Sequence, residues 1–207
     1  MEQITFLGPI GATFSHNAYD ELAKRYDTPE ILINSECTQF TPARSNREVL
    51  AIIEQHGGYG TIAMETRAEG RVAEPLESFI DLLKAYGRTD ALPFHVVGAV
   101  RLHLRMCLMM RKEVAKERIT AVIAHTKALG ACKEHIRRMN VESIPTESNG
   151  TASELVAYHP DHKYHASIGP RSAAEKYDLN IINDAFEDDV AITTFFHIAP
   201  RTHEIVI

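Results

Sequence analysis

Ile4-Thr5-Phe6-Leu7-Gly8-Pro9-Ile10-Gly11-Ala12-Thr13-Phe14-Ser15-His16 is the stretch on which the fold turns. Its first four residues form an apolar run short enough for a buried strand. Gly8-Pro9 and Gly11 then punctuate the chain as a turn. A helical pattern follows from about His16 to Tyr26, with Thr13 or Ser15 as its cap. A tight turn plus a capped helix accounts for the segment by itself. Exposed amides at a helix start, with two hydroxyls beside them, also suit a carboxylate or phosphate.

The same alternation continues outward to both ends. A strand is expected near Ile31-Leu32-Ile33, and residues 43–56 carry Val49, Ile52 and Ile53 at helical spacing. Thr61-Ile62-Ala63-Met64 reads as the next strand, and Val72 to Tyr86 as a helix with Leu76, Phe79, Ile80 and Leu83 on one side. From His95 to Met110 the pattern is strand-like and marks passage into a second lobe. There Ala121–Ala124 leads to one helix bearing Leu129, Cys132, Ile136 and Met139. Strand Val141–Ile144, helix Ala152–Tyr158, strand Ala166–Ile168, helix Arg171–Tyr177 and strand Ile192–Ile198 complete the order. Strands alternating with helices predict an α/β fold with largely parallel sheets, in two lobes with a ligand cleft at the strand ends. The expected partition is lobe 1 over about 1–93 plus 181–207, and lobe 2 over about 94–180.

Composition narrows the function classes. The chain has 207 residues, 44% apolar and 24% charged, with a formal net charge of −6. No basic block stands out, which argues against nucleic acid, although a cleft in an acidic protein can still be locally basic. No apolar run is long enough for a bilayer, and Met1-Glu2-Gln3-Ile4 lacks the pattern of a signal peptide. Cys37, Cys107 and Cys132 are odd in number and have no ligand-like spacing, so a reduced, cytoplasmic chain is expected. The histidines, among them His95, His103, His125, His135, His159, His162, His165 and His197, form no H-x-x-x-H pair on a predicted helix. No metal and no cofactor are expected.

Seven segments in order resemble one family. The opening ITFLGPIGATFSHNAYDEL is similar to the start of prephenate dehydratase domains, which read G-P-x-G-T-F-S before a helix. Ala63-Met64-Glu65-Thr66-Arg67-Ala68-Glu69-Gly70-Arg71-Val72 resembles P-I-E-N-S-x-x-G-x-V, and Leu104 to Met109 resembles I-x-H-C-L-L. Ala124 to Cys132 resembles S-H-P-Q-A-L-x-Q-C. Thr151-Ala152 matches S-T-A, Ala173 to Leu179 matches A-A-x-x-Y-G-L, and Ile192-Thr193-Thr194-Phe195 stands where the family has x-T-R-F. The resemblance implies two α/β lobes in a periplasmic-binding-protein-like (type II) arrangement, with the small-molecule substrate prephenate between them. It further implies a homodimer or homotetramer, no membrane partner, and a single catalytic domain over 1–207 without a regulatory domain.

The departures from the pattern carry chemical weight. In the dehydratases the Asn of E-N-S, the Gln before Cys and the Thr of T-R-F are the reacting polar groups, and the Arg anchors the anionic substrate. The corresponding positions here are Thr66, Ala131, Thr193 and Thr194, and only the Thr survives. Losing one preorganised donor to a leaving oxygen costs about 3–4 kcal/mol, and a Thr hydroxyl cannot imitate a bidentate guanidinium. The expectation is therefore a prephenate decarboxylase of the kind that serves secondary metabolism and antibiotic biosynthesis. Such an enzyme releases CO2, shifts a double bond and keeps the C4 hydroxyl. The alternatives are a prephenate dehydratase and a non-catalytic binding protein.

The resemblance implies catalytic roles for Thr193, Glu65 and His125, and substrate contacts for Thr13, Ser15, Thr66, Arg67, Ser148, Thr151, Thr194 and Phe195. Each has a plainer reading. Glu65 could cap the helix after it, His125 could bond backbone at a strand end, and Arg67 could pair with Glu69 at the surface. Ser148 and Thr151 could cap a helix together.

Overall fold

The computed structural model describes residues 2–28, 38–67 and 70–202. The chain divides into two compact units: one of Met1–Leu7, Ser15–Leu102 and Ile192–Ile207, the other of Gly8–Phe14 and His103–Ala191. The expected strand at Ile31–Ile33 lies outside the described residues, as do Cys37 and Glu69.

The first unit is a mixed sheet with helices. Strands β1 (Glu2–Leu7), β2 (Thr38–Ala43), β3 (Tyr59–Thr66), β4 (Gly70–Arg71), β5 (Phe94–His103) and β11 (Ile192–Pro200) form it in the order β2-β1-β3-β11-β5, with β4 on β3. β1 runs parallel to β2 and β3, while β11 runs antiparallel to β3. Helix α1 (Phe14–Arg25) buries Ala18, Tyr19, Leu22 and Ala23 at the i, i+1, i+4, i+5 spacing of one helical face. Helix α2 (Asn46–His56) starts at Ser45, whose Oγ accepts from Glu48 N at 3.1 Å, and buries Val49, Leu50 and Ile53. With Ala43, Ile62, Phe94 and Ile198 these residues form the apolar core. Helix α3 (Ala73–Tyr86) follows β4.

The second unit has its own sheet, in the order β10-β6-β9-β7-β8: β6 (Cys107–Met110), β7 (Ala121–His125), β8 (Glu142–Thr146), β9 (His165–Gly169) and β10 (Asn180–Asn183). β7 is parallel to β8 and β9, whereas β6 is antiparallel to β9 and β10. Helices α4 (Thr126–Ala131), α5 (Lys133–Met139), α6 (Asn149–Tyr158) and α7 (Arg171–Tyr177) accompany it. Cys107, Met109, Ile123, Ala152, Val156, Ala173, Ala174, Tyr177 and Leu179 build the core, and Ala12 of the Gly/Pro turn joins them fully buried.

The α/β class expected from the alternation is present, with four corrections of detail. The sheets are mixed, because β11 enters the first sheet antiparallel and β6 does the same in the second. β5 belongs to the first unit, and the chain changes unit after Leu102 and again after Ala191. The helix expected through Cys132 is two helices, since Cys132 takes φ −116° and ψ 15° and its amide reaches back to Ala128 O and Gly130 O. Ser15 lies inside α1, one residue past its start, so of the two expected caps only Thr13 precedes the helix.

Candidate functional site

In the second unit, the Gly/Pro turn rests on the start of α6. Gly8 has φ +80°, a conformation that glycine adopts at little cost, and a Cβ there would lie 2.6 Å from Thr13 Cγ2 and 3.0 Å from Ser148 Oγ. Gly150 closes the same contact from the helix side: its added Cβ would meet Pro9 Cγ at 2.6 Å and Thr13 Cγ2 at 3.0 Å. Two absent side chains thus let the Pro9 ring and the Thr13 and Ser148 side chains pack directly against glycine backbone. Lys176 of α7 donates its Nζ to Ile10 O, holding the turn from the other side.

Ser148 is the N-cap of the ten-residue α6, extended at φ −153° and ψ 160°. Its Oγ accepts from Thr151 N at 3.0 Å and lies 2.9 Å from Thr151 Oγ1. Two hydroxyls that share one O–H···O bond leave one O–H free to donate, whichever way the shared bond points. That spare donor stands at the positive end of a helix, beside a turn that carries no acidic side chain, so the arrangement favours an anionic oxygen. The cap is rigid, because Thr146 Oγ1 donates to Ser148 O at 3.0 Å and Ser148 is 4% exposed. Asn149 Oδ1 accepts from His125 N at 3.0 Å, which ties the end of β7 to the same helix start.

In the first unit, the candidate residues sit on the β3/β11 pair. Thr193 is opposite Thr66, and Thr194 is opposite Glu65. Directly opposed residues of an antiparallel pair share a face, with Cβ atoms about 5 Å apart. Thr193 and Thr66 therefore lie on one face of the pair. Thr193 is 3% exposed, and the buried Thr66 Oγ1 has no hydrogen-bond partner among the described residues. One step on, Phe195 opposes Ala63, so Met64 is an extra residue on β3 and the ladder is bulged there. Arg67 N continues the pairing with Ile192 O at 2.8 Å.

These placements sort the expected residues. Thr13, Ser148, Thr151 and His125 belong to the second unit, and the first three gather around Gly8 or α6. Ser15, Glu65, Thr66, Arg67, Thr193, Thr194 and Phe195 belong to the first. Glu65 and Thr193 are not brought together: the register sets Glu65 on the opposite face of the pair, where it is exposed. Nor does Glu65 cap the following helix, since α3 starts at Val72 with no side-chain cap bond. Ser15 is buried in the first turn of α1, and Phe195 is buried. Arg67 is exposed. His125 is the N-cap of α4, its Nδ1 accepting from Lys127 N at 3.3 Å. That acceptor role requires a bare Nδ1 and is the plainer of its two readings.

Sequence reasoning missed Asn149, Gly150 and Lys176. The dipeptide Asn149-Gly150 directly after a capping Ser was the available signal, a small residue where close approach is needed. Ala131, where the resemblance expects Gln, has a structural task through its backbone: its carbonyl accepts Asp188 N at 2.8 Å.

The family model described as prephenate dehydratase matches residues 4–203. Among curated proteins, the chain is 33% identical over 109 residues to arogenate dehydratase/prephenate dehydratase 6, chloroplastic, of Arabidopsis thaliana, a match covering 52% of this chain and 26% of that protein. It is 32% identical over 139 residues to the bifunctional chorismate mutase/prephenate dehydratase of Neisseria gonorrhoeae, covering 64% of this chain and 38% of the relative. The chain thus spans well under half the length of these relatives. Among solved structures, prephenate dehydratase from Arthrobacter aurescens in complex with L-Phe superposes with a TM-score of 0.74 at 18% identity, over 99% of this chain and 62% of that one, a likeness of fold. No helix among the described residues is long and apolar enough to cross a membrane.

Proposed function

The chain belongs to the prephenate dehydratase family, and from that premise we propose that it is a lyase acting on prephenate or its amino counterpart arogenate. In the family reaction the C4 hydroxyl departs as water and the ring carboxylate as CO2, so that prephenate and one proton give phenylpyruvate, water and CO2. The observation that carries the reading is that Thr193 and Thr66 oppose each other on one face of β3/β11, Thr193 buried and the buried Thr66 Oγ1 without a hydrogen-bond partner among the described residues. A buried hydroxyl without a partner is costly, and a leaving oxygen is the kind of group that would satisfy Thr66 Oγ1. The Ser148–Thr151 hydroxyls at the α6 start are, by themselves, suited to a carboxylate. On this reading Thr193 hydrogen-bonds the leaving oxygen, whereas Glu65, exposed on the opposite face of the pair, is not placed to deliver a proton there. The reading takes 1–207 as one catalytic domain of a cytoplasmic homo-oligomer that uses no cofactor.

A second reading is favoured by one specific observation. Thr66, Ala131 and Thr194 stand where the resemblance expects Asn, Gln and Arg. With Thr66 and Ala131 in place of the reacting Asn and Gln the pull on water weakens, a lost donor costing about 3–4 kcal/mol, and Thr194 in place of the Arg removes the substrate anchor. CO2 would then leave while a ring carbon takes a proton, giving a dihydro-4-hydroxyphenylpyruvate for secondary metabolism.

One assay decides between them. Purified protein is incubated with prephenate, and CO2 is followed together with the alkaline absorbance of phenylpyruvate; arogenate is run in parallel with phenylalanine as the product measured. Equal CO2 and aromatic product support the family reaction, and CO2 without aromatic product supports the second reading. No CO2 from either substrate rejects both.

A further inference from the structure

The second unit holds a histidine group that the proposed reaction does not use. His162 closes a short turn (Pro160–His162) just past the end of α6, and His165 opens β9. Their Nδ1 atoms face each other at 2.9 Å, and both side chains are partly exposed to solvent. The His159 ring lies tilted against the His162 ring, 5.2 Å between centroids, with the Asp161 carboxylate 3.9 Å from His159 Nδ1. Glu142 of β8 acts on His165 electrostatically. Of the nearby cations, Arg118 and Lys163 lie over the Tyr164 ring at 4.2 and 5.7 Å, and Arg111 donates to His159 O at 2.7 Å.

Two imidazole nitrogens at this separation can share a proton, and they can also share a cation. With metal–nitrogen bonds of about 2.0–2.1 Å, ligands about 90° apart lie about 2.9 Å from each other, whereas tetrahedral ligands lie about 3.4 Å apart. The observed spacing, which is also that of a shared proton, fits the former, the cis arrangement of tetragonal Cu(II) and Ni(II) sites. We propose that His162 and His165 chelate a divalent transition metal of the copper(II) or nickel(II) kind in cis positions through Nδ1. Among the described residues no third His, Cys, Asp or Glu converges with them, so water completes the coordination. The negative charges of Asp161 and Glu142 favour a bound cation over the bare pair. The His-x-x-His spacing spans a turn and a strand start, which is why a search for helical His pairs passed over it.

The test uses the full chain without an affinity tag. Cu2+ is titrated in and followed by calorimetry and by electron paramagnetic resonance, with Ni2+ and Zn2+ in parallel. The expected result is one tight equivalent of Cu2+ with hyperfine structure from two nitrogens, and weaker binding of Zn2+. His162→Ala and His165→Ala should each weaken that equivalent tenfold or more, with circular dichroism unchanged. His165 begins a strand, so if its variant does not fold, the partly exposed His162→Ala and the nitrogen count decide. Equal affinity in wild type and in His162→Ala would overturn the proposal, leaving the pair as hydrogen-bonded histidines only.

Discussion

The Asp188 carboxylate lies 2.6 Å from His135 Nδ1 and crowns the start of α5. Its oxygens also accept from Glu134 N at 2.7 Å and His135 N at 2.9 Å, so a residue more than fifty positions away supplies the cap that Cys132 lacks. Its own amide donates to Ala131 O, which fastens the segment before β11 to both halves of the broken helix. Burial alone would raise the Asp188 carboxyl, but the two amides and the His135 ring together hold it below its ordinary value.

Asp188→Ala should therefore destabilise the protein by about 1–2 kcal/mol at neutral pH, the usual cost of a lost cap. The sign of the pH dependence follows from the depressed value. The folded state binds fewer protons than the unfolded one, so the contribution is complete above the ordinary carboxyl range and is lost as pH falls through the folded value. Urea midpoints of wild type and variant should differ clearly at pH 7 and converge as the pH falls below the ordinary carboxyl range. A difference that grows in acid would contradict the assignment.

Gly150→Ala separates the turn contact from backbone effects. Alanine is the better helix former by about 0.5–1 kcal/mol, and the residue lies in α6. Its methyl, however, would meet the rigid Pro9 ring at 2.6 Å. The expected outcome is a lower melting temperature and a raised KM, because the turn must move off the helix. A more stable variant with unchanged KM would show that the contact yields freely.

Ser148→Ala removes the α6 cap and half of the hydroxyl pair. Stability should fall by about 1 kcal/mol. If the spare O–H binds a substrate carboxylate, KM should rise about tenfold, equivalent to about 1.4 kcal/mol, with kcat little changed. Loss of stability with KM unmoved would reduce Ser148 to a cap.

Thr193→Val keeps the shape at a 3% exposed position and deletes the hydroxyl. Turnover should drop by about two to three orders of magnitude, and Thr193→Ser should restore most of it. A Val variant as active as wild type would remove Thr193 from the reaction.

Thr28→Val probes a buried polar cluster in the first unit. Thr28 Oγ1 lies 2.8 Å from His197 Nε2 and also hydrogen-bonds Tyr19, whose phenol burial raises far above its ordinary value. Leaving these groups short of a partner should cost about 1–3 kcal/mol, read as a lower denaturant midpoint with an unchanged slope.

How far the molecule was legible beforehand depends on the range of the signal. Val49, Ile52 and Ile53 announced α2, and Leu7-Gly8-Pro9 announced the end of β1, because helical spacing and turn chemistry act within a few residues. The strand Asn180–Asn183 escaped notice, since it exists by pairing antiparallel with β6, some seventy positions earlier. The broken helix escaped for a similar reason: its second half is capped from Asp188.

By itself, the sequence determined the alternation of strands and helices, the turn at Gly8-Pro9 and the family resemblance, all of which rest on local spacing and residue type. Only the tertiary structure decided that Thr13 and Ser15, two positions apart, fall in different units, and that Thr193 faces Thr66 while Glu65 points away. Strand register is set by a distant partner and by the bulge at Met64. A one-residue shift in that pairing exchanges the two faces, and neither strand carries that information alone.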